Sequence, residues 1–98
     1  MVNFKVPVVL RDDYTVYLEF FEGMLWFHTD VHKWTAKIKA KYLEDLNILQ
    51  YLTNSPLVAM VNQRDKKLSK FVSVIGFKYE QSFLGNDKQM HDIYSRSK

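Results

Sequence analysis

The chain has 98 residues, of which 47% are hydrophobic and 15% aromatic, a net charge of +3 and no cysteine. That length fits one domain, residues 1–98, and that composition excludes a disordered chain. The missing cysteines exclude disulfides, thiol nucleophiles and cysteine-ligated zinc, and so mild a charge falls short of the basic stripe of a dedicated nucleic-acid binder.

The stretch "VNFKVPVVL" (2–10) is rich in valine and partly alternating. It reads as a strand, and Pro7 places it at a sheet edge or a bulge. "RDDY" supplies turn chemistry, and "YTVYLEFF" (14–21) is a second strand, β-branched and aromatic. Glu22-Gly23 is a tight turn in which glycine can take positive φ. "MLWFHT" (24–29) then completes an antiparallel meander of three strands.

Thr29 or Asp30 is suited to cap a helix running from about Val31 to Thr53. Within it Val31, Trp34, Ile38, Tyr42, Leu46, Leu49 and Leu52 recur at spacings of three and four, which makes one apolar stripe. Lys33, Lys37, Lys39, Lys41, Glu44 and Asp45 fall largely off it. "NSP" (54–56) ends the helix, because Pro56 disfavours helical geometry at Ser55. "LVAMVN" (57–62) is a continuous apolar run, as suits a central strand buried on both faces.

A second helix, about Arg64 to Ile75, presents Leu68, Phe71, Val72 and Ile75, and Gly76 is placed for the left-handed residue after its last turn. "FKYEQSFL" (77–84), a Gly85-Asn86-Asp87 turn and "QMHDIYSR" (89–96) close the chain as a hairpin. The order is β-β-β-α-β-α-β-β: an α+β fold with two helices and a mixed, mainly antiparallel sheet of about six strands. A right-handed crossover through the long helix makes the third and fourth strands parallel.

That order, with "LSKFVSVIGFKYE" as its closing helix and strand, resembles the GNAT (N-acetyltransferase) superfamily without its usual first strand and following helices. The likeness spans most of the chain. It is nearest to small acetyltransferase-like and internal virion proteins of tailed phages, in which an aromatic strand also runs into a lysine-rich helix.

The resemblance implies a site for acetyl-CoA, and this sequence departs from that site twice. The family cradles the pyrophosphate on a loop of the form [RQ]-x-x-G-x-[GA], whose glycines let backbone amides reach the phosphates. The corresponding stretch, "HTDVHKWTAK" (28–37), has no glycine, and Asp30 puts a carboxylate where phosphates would sit. The family often uses a tyrosine four residues before the closing glycine as general acid. Val72 stands there, with no proton to give, and Asp65 stands where an asparagine is frequent. If acetyl-CoA binds, Thr29, Lys33 and Lys37 are the cofactor-binding candidates, the two lysines one helical turn apart. The splay between the third and fourth strands would take the pantetheine arm.

The remaining candidates weigh less. His28 and His32 have metal-ligand spacing, but a strand-to-helix boundary falls between them and no carboxylates cluster nearby, so no metal site is expected. His28 at a strand end is a candidate general base, more simply a solvated or hydrogen-bonded side chain. Trp26, Phe27 and Trp34 read as core, alternatively as an aromatic wall. "RDKKLSK" (64–70) and "YSRSK" (94–98) read as solvated surface, not a nucleic-acid site.

Two functions therefore stand side by side. One is a non-catalytic GNAT-like binding or structural protein that needs no cofactor. The other is an acyl-CoA-dependent N-acetyltransferase with a divergent pyrophosphate loop. No catalytic residue is assigned. Missing cover over "VNFKVPVV" and "YTVYLEFF" predicts a homodimer, and an unidentified protein partner is also expected. No apolar run approaches the roughly 20 residues of a membrane span, and the N-terminus lacks a signal-peptide pattern. The expected location is the cytoplasm, or a virion assembled there.

Overall fold

A computed structural model describes residues 4–97. Residues 2 and 3 of the expected first strand lie outside the described residues, as does Lys98 of the basic tail. The observed order is β1 (Val6–Leu10), β2 (Tyr14–Phe21), β3 (Met24–Val31), α1 (Ala36–Thr53), β4 (Leu57–Asn62), α2 (Lys66–Val74), β5 (Lys78–Leu84) and β6 (Met90–Arg96). One sheet of six strands runs β1-β2-β3-β4-β6-β5. Among the described residues only the β3–β4 pair is parallel.

Register sorts the side chains onto two faces. Tyr14, Val16 and Leu18 of β2 share a face with Phe27 of β3, with Leu57, Ala59 and Val61 of β4 and with Tyr94 of β6. Both helices pack on that face, through Tyr42, Leu46 and Leu49 of α1 and Val72 of α2. Each fully buried side chain of this size contributes about 1.5–3 kcal/mol. The opposite face, with Tyr17, Glu19, Trp26, His28 and Met60, carries no helix among the described residues. Met60 is accordingly half exposed, so β4 is central but not covered on both sides as its apolar run predicts.

Turn chemistry acts where the chain reverses. Glu22 and Gly23 both have positive φ, 55° and 76°, the geometry of a two-residue hairpin turn whose twist matches its strands. After α2, Phe77 donates to the Val72 carbonyl and Gly76 to that of Ser73, with Gly76 at φ 99°. This is the glycine-dependent helix stop read from the sequence. Asn54, not Pro56 alone, ends α1: it is left-handed at φ 51° and donates to the Gln50 carbonyl.

The start of α1 departs from expectation. β3 continues through Asp30 and Val31, which pair with Thr15 and Tyr14. His32 and Lys33 then donate to the Asp13 carbonyl. A ladder on an existing strand satisfies these amides before a helix can nucleate. The cap is therefore Thr35, whose hydroxyl accepts from the Ile38 amide at 3.1 Å, and neither Thr29 nor Asp30.

The apolar stripe is also revised: Leu52 is 73% exposed, while Asp45 and Gln50 are buried. Asp45 accepts two hydrogen bonds from Arg11, at 3.1 and 3.0 Å, and one from Tyr14 at 2.5 Å. Burial would raise its carboxyl, but the bonds from Arg11 and Tyr14 hold it below the ordinary value of 3.8. The Tyr14 hydroxyl is pushed up to about 12, first by burial and then by its bond to Asp45. Gln50 donates to the Arg96 carbonyl and accepts from the Arg96 guanidinium. Arg96 also reaches the Ile75 carbonyl and Asn47. The expected basic tail is thus mostly strand β6, with Tyr94 buried and Arg96 bonded inward.

Candidate functional site

The parallel pair β3–β4 is brief. Leu25 pairs with Leu57 and Trp26 with Val58, and beyond them the strands part. β3 stays bonded to β2 and β4 to β6, so each strand turns one unshared edge toward the gap. The gap is a cleft of about 400 Å³. Phe27, Ala59, Val61, Leu68 and Val72 line its apolar part, and His28, Thr29, Asp30, Tyr17 and Lys5 its polar part. Two facing strand edges present amide and carbonyl groups, the surface that an extended, amide-bearing chain can pair with.

The rim toward the bare face is built from cross-strand pairs. His28 Nε2 lies 2.9 Å from Glu19 Oε1, and the Tyr17 hydroxyl donates to Asp30 at 3.0 Å. That bond to Asp30 raises the Tyr17 hydroxyl above its ordinary value. The two-residue turn at 22–23 sets this register, with Tyr17 opposite His28 and Glu19 opposite Trp26, so each bonded pair is a diagonal neighbour. Thr29, on the helix-bearing face, donates to the Thr15 carbonyl and accepts from the Tyr42 hydroxyl, each at 2.9 Å. Burial pushes the Tyr42 hydroxyl up, so it stays a neutral donor.

A second groove of about 450 Å³ continues from the cleft past Thr29 and Leu68 to the segment between β3 and α1. Val31, His32, Lys33, Trp34, Asp65, Lys67 and Phe71 line the rest of it. This is where the family resemblance puts the pyrophosphate cradle. Trp34 lines one wall of it, its indole edge-on to Tyr42 and Phe71 with ring centroids 5.4 and 5.0 Å apart. Trp34 therefore bridges α1 and α2 from the loop and is not part of the helical stripe.

The three candidate cofactor residues are placed differently. Thr29 borders both cavities, and its hydroxyl is engaged with Thr15 and Tyr42. Lys33 borders the second groove from the loop. Lys37 lies in the first turn of α1 and lines neither cavity. Lys33 and Lys37 are therefore not one turn apart on a shared helix. Val72 is 1% exposed on the cleft floor. Asp65 caps α2 by accepting from the Leu68 amide at 3.0 Å.

His32 lies in the loop and His28 on β3, and among the described residues no group of three or more metal-ligating side chains occurs. His91 pairs with Asp87 across the terminal hairpin instead. Sequence reading singled out His28 but not its partner Glu19. Counting outward from the Glu22-Gly23 turn brings the two within reach, which was the available signal. Lys67 at the second groove and Met60, which also lines the cleft, carried none, because their place there depends on how α2 docks and how β4 diverges.

No protein-family profile matches the sequence, and no curated protein does. Solved structures do match in fold. One, assigned to the GnaT acetyltransferase family and from Bordetella pertussis, superposes with a TM-score of 0.66 at 12% identity, over 87% of this chain and 57% of its own. Another, a chimera of spermidine N-acetyltransferase SpeG from Vibrio cholerae and hSSAT, gives a TM-score of 0.66 at 16% identity, over 97% of this chain and 65% of its own. At such identities the likeness shows a GNAT-like fold. The chain spans less than two thirds of the length of either structure. The tailed-phage resemblance finds no support among these matches. No helix among the described residues is long and apolar enough to cross a membrane.

Proposed function

We propose that this chain is a non-catalytic protein of GNAT-like fold that works by binding, with the β3–β4 cleft as its ligand site. The observation that carries this reading is Trp34. In a loop without glycine, its indole packs on Tyr42 and Phe71 along the second groove, and the loop amides of His32 and Lys33 that an acetyl-CoA site would need free are spent on the Asp13 carbonyl. The buried Val72 adds to it, since an aliphatic side chain cannot protonate a leaving thiolate. What the cleft retains is backbone: two strand edges above an apolar floor, suited to a slender chain bearing amides. Calorimetric titration with acetyl-CoA, with CoA as control, tests the reading. No binding tighter than about millimolar supports it.

One observation favours acyl transfer, the activity in both matched structures' descriptions. His28 on the cleft wall, paired with Glu19 behind it, has the arrangement of a carboxylate-oriented base that could accept a proton from an amine. On that reading Lys33 and Lys67 would meet phosphates as point charges at the second groove. Release of free CoA thiol from acetyl-CoA in the presence of amines, abolished by His28→Ala, would establish it.

A further inference from the structure

On the reading of the β3–β4 cleft as a ligand site, on which this rests, we infer that the ligand is one extended peptide segment, lodged as a strand between β3 and β4 and carrying acidic side chains over the second groove. Register decides which backbone groups face the gap. Across an antiparallel pair, residues that exchange both ladder bonds alternate with residues whose amide and carbonyl point to the opposite edge. The His32 amide donates to the Asp13 carbonyl, one bonded pair beyond the end of the β2–β3 ladder. Counting back by twos, Asp30, His28 and Trp26 are bonded to Thr15, Tyr17 and Glu19. Phe27 and Thr29 therefore turn their backbone groups toward β4. On the other wall, Gln63 donates to the Met90 carbonyl. The same count bonds Val61, Ala59 and Leu57 to β6, so Val58, Met60 and Asn62 turn theirs toward β3.

The two walls pair only at Leu25–Leu57 and Trp26–Val58. Beyond them the backbone groups of Thr29 on one side and Met60 on the other have no ladder partner among the described residues. Unpaired strand edges are templates for another strand, and a peptide supplies an amide and a carbonyl at every residue to match their repeat. Its alternate side chains fall on the apolar floor of Phe27, Ala59, Val61, Leu68 and Val72, and those between them on the side of His28 and Tyr17. Charge sets the other preference. Where the cleft runs into the second groove, Lys33 and Lys67 have no ion pair among the described residues. The one carboxylate lining that groove, Asp65, is engaged with the Leu68 amide. Two uncompensated lysines, on a chain of net charge +3, favour a peptide with acidic residues at that end.

Selection of random N-acetylated heptapeptides on beads against the full chain tests this, followed by amide-resolved magnetic resonance titration of isotope-labelled protein with the synthesised winners. The winners should alternate apolar and polar residues, carry Asp or Glu at one end and bind with Kd below about 100 μM. They should shift the Thr29 and Met60 amides and slow their exchange with solvent. N-methylation of the winners' alternate amides should weaken binding at least about tenfold, a change that leaves the protein itself untouched. Lys33→Ala with Lys67→Ala should weaken it at least about threefold and reduce its salt dependence. An absence of winners would overturn the inference. So would winners indifferent to N-methylation or to the two lysines, or shifts confined to the outer strands β1 and β5. If peptides fail and acetyl-CoA also fails to bind, only the peptide is lost, whereas saturable acetyl-CoA binding would overturn the non-catalytic reading itself.

Discussion

Two polar clusters in this molecule differ in depth, and the difference separates what holds the fold from what lines the site. Under α1, Asp45 is buried and takes three hydrogen bonds from Arg11 and Tyr14, tying the first hairpin to the helix. At the cleft rim, Glu19–His28 and Tyr17–Asp30 are single contacts between solvent-reached side chains. Low dielectric makes the first cluster expensive to break, while water can replace every bond in the second. A rim that contributes little to stability is free to meet a ligand.

Substitutions sharpen this contrast. Asp45→Ala leaves the Tyr14 hydroxyl buried without an acceptor and should cost about 2–4 kcal/mol in urea denaturation. A loss below about 1 kcal/mol would erase the distinction. The same lock makes stability depend on pH. Because folding raises Tyr14 from 10 to about 12, the unfolded chain loses this proton first as pH rises. Stability should therefore fall between pH 10 and 12, with Tyr42 adding in the same direction, and Tyr14→Phe should flatten that fall. Asp45 acts at the other end. Its lowered pKa stabilises the fold above about 3.8 and stops doing so as pH drops below it.

Smaller effects follow away from the lock. Gly76→Ala strains a φ of 99° and brings a methyl group within 3.1 Å of Arg96 Nε, which should cost about 1–2 kcal/mol. Thr35→Ala removes the helix cap and should cost about 1 kcal/mol by thermal denaturation. Glu19→Gln should shift stability by less than about 0.5 kcal/mol. A large loss there would make the rim structural.

Element order and type were legible because each signal was local. Alternating strands, the Glu22-Gly23 turn and the Gly76-Phe77 stop read correctly from neighbours in sequence, and the three-four spacing of α1 did so over Ile38, Tyr42, Leu46 and Leu49. The helix start was not legible. Thr29 and Asp30 carry cap chemistry, but the ladder to β2 claims them, and pairing across strands does not show in local composition. Nor was the burial of Asp45 and Gln50 legible, since polar residues read as surface unless their partners, Arg11 and Arg96, are known to arrive from elsewhere. At the site, the missing glycine and Val72 were visible as departures. The docking of Trp34 along that groove was not, because a tryptophan at helical spacing reads as stripe.

The central claim is that the splayed cleft persists in this GNAT-like fold while the cofactor cradle does not. Isothermal titration of the full chain with acetyl-CoA, with CoA in parallel, tests it most directly. No saturable heat below about millimolar ligand is expected, for either compound. Micromolar binding that weakens when Lys33 and Lys67 are changed to alanine would contradict the account and return the chain to the transferases.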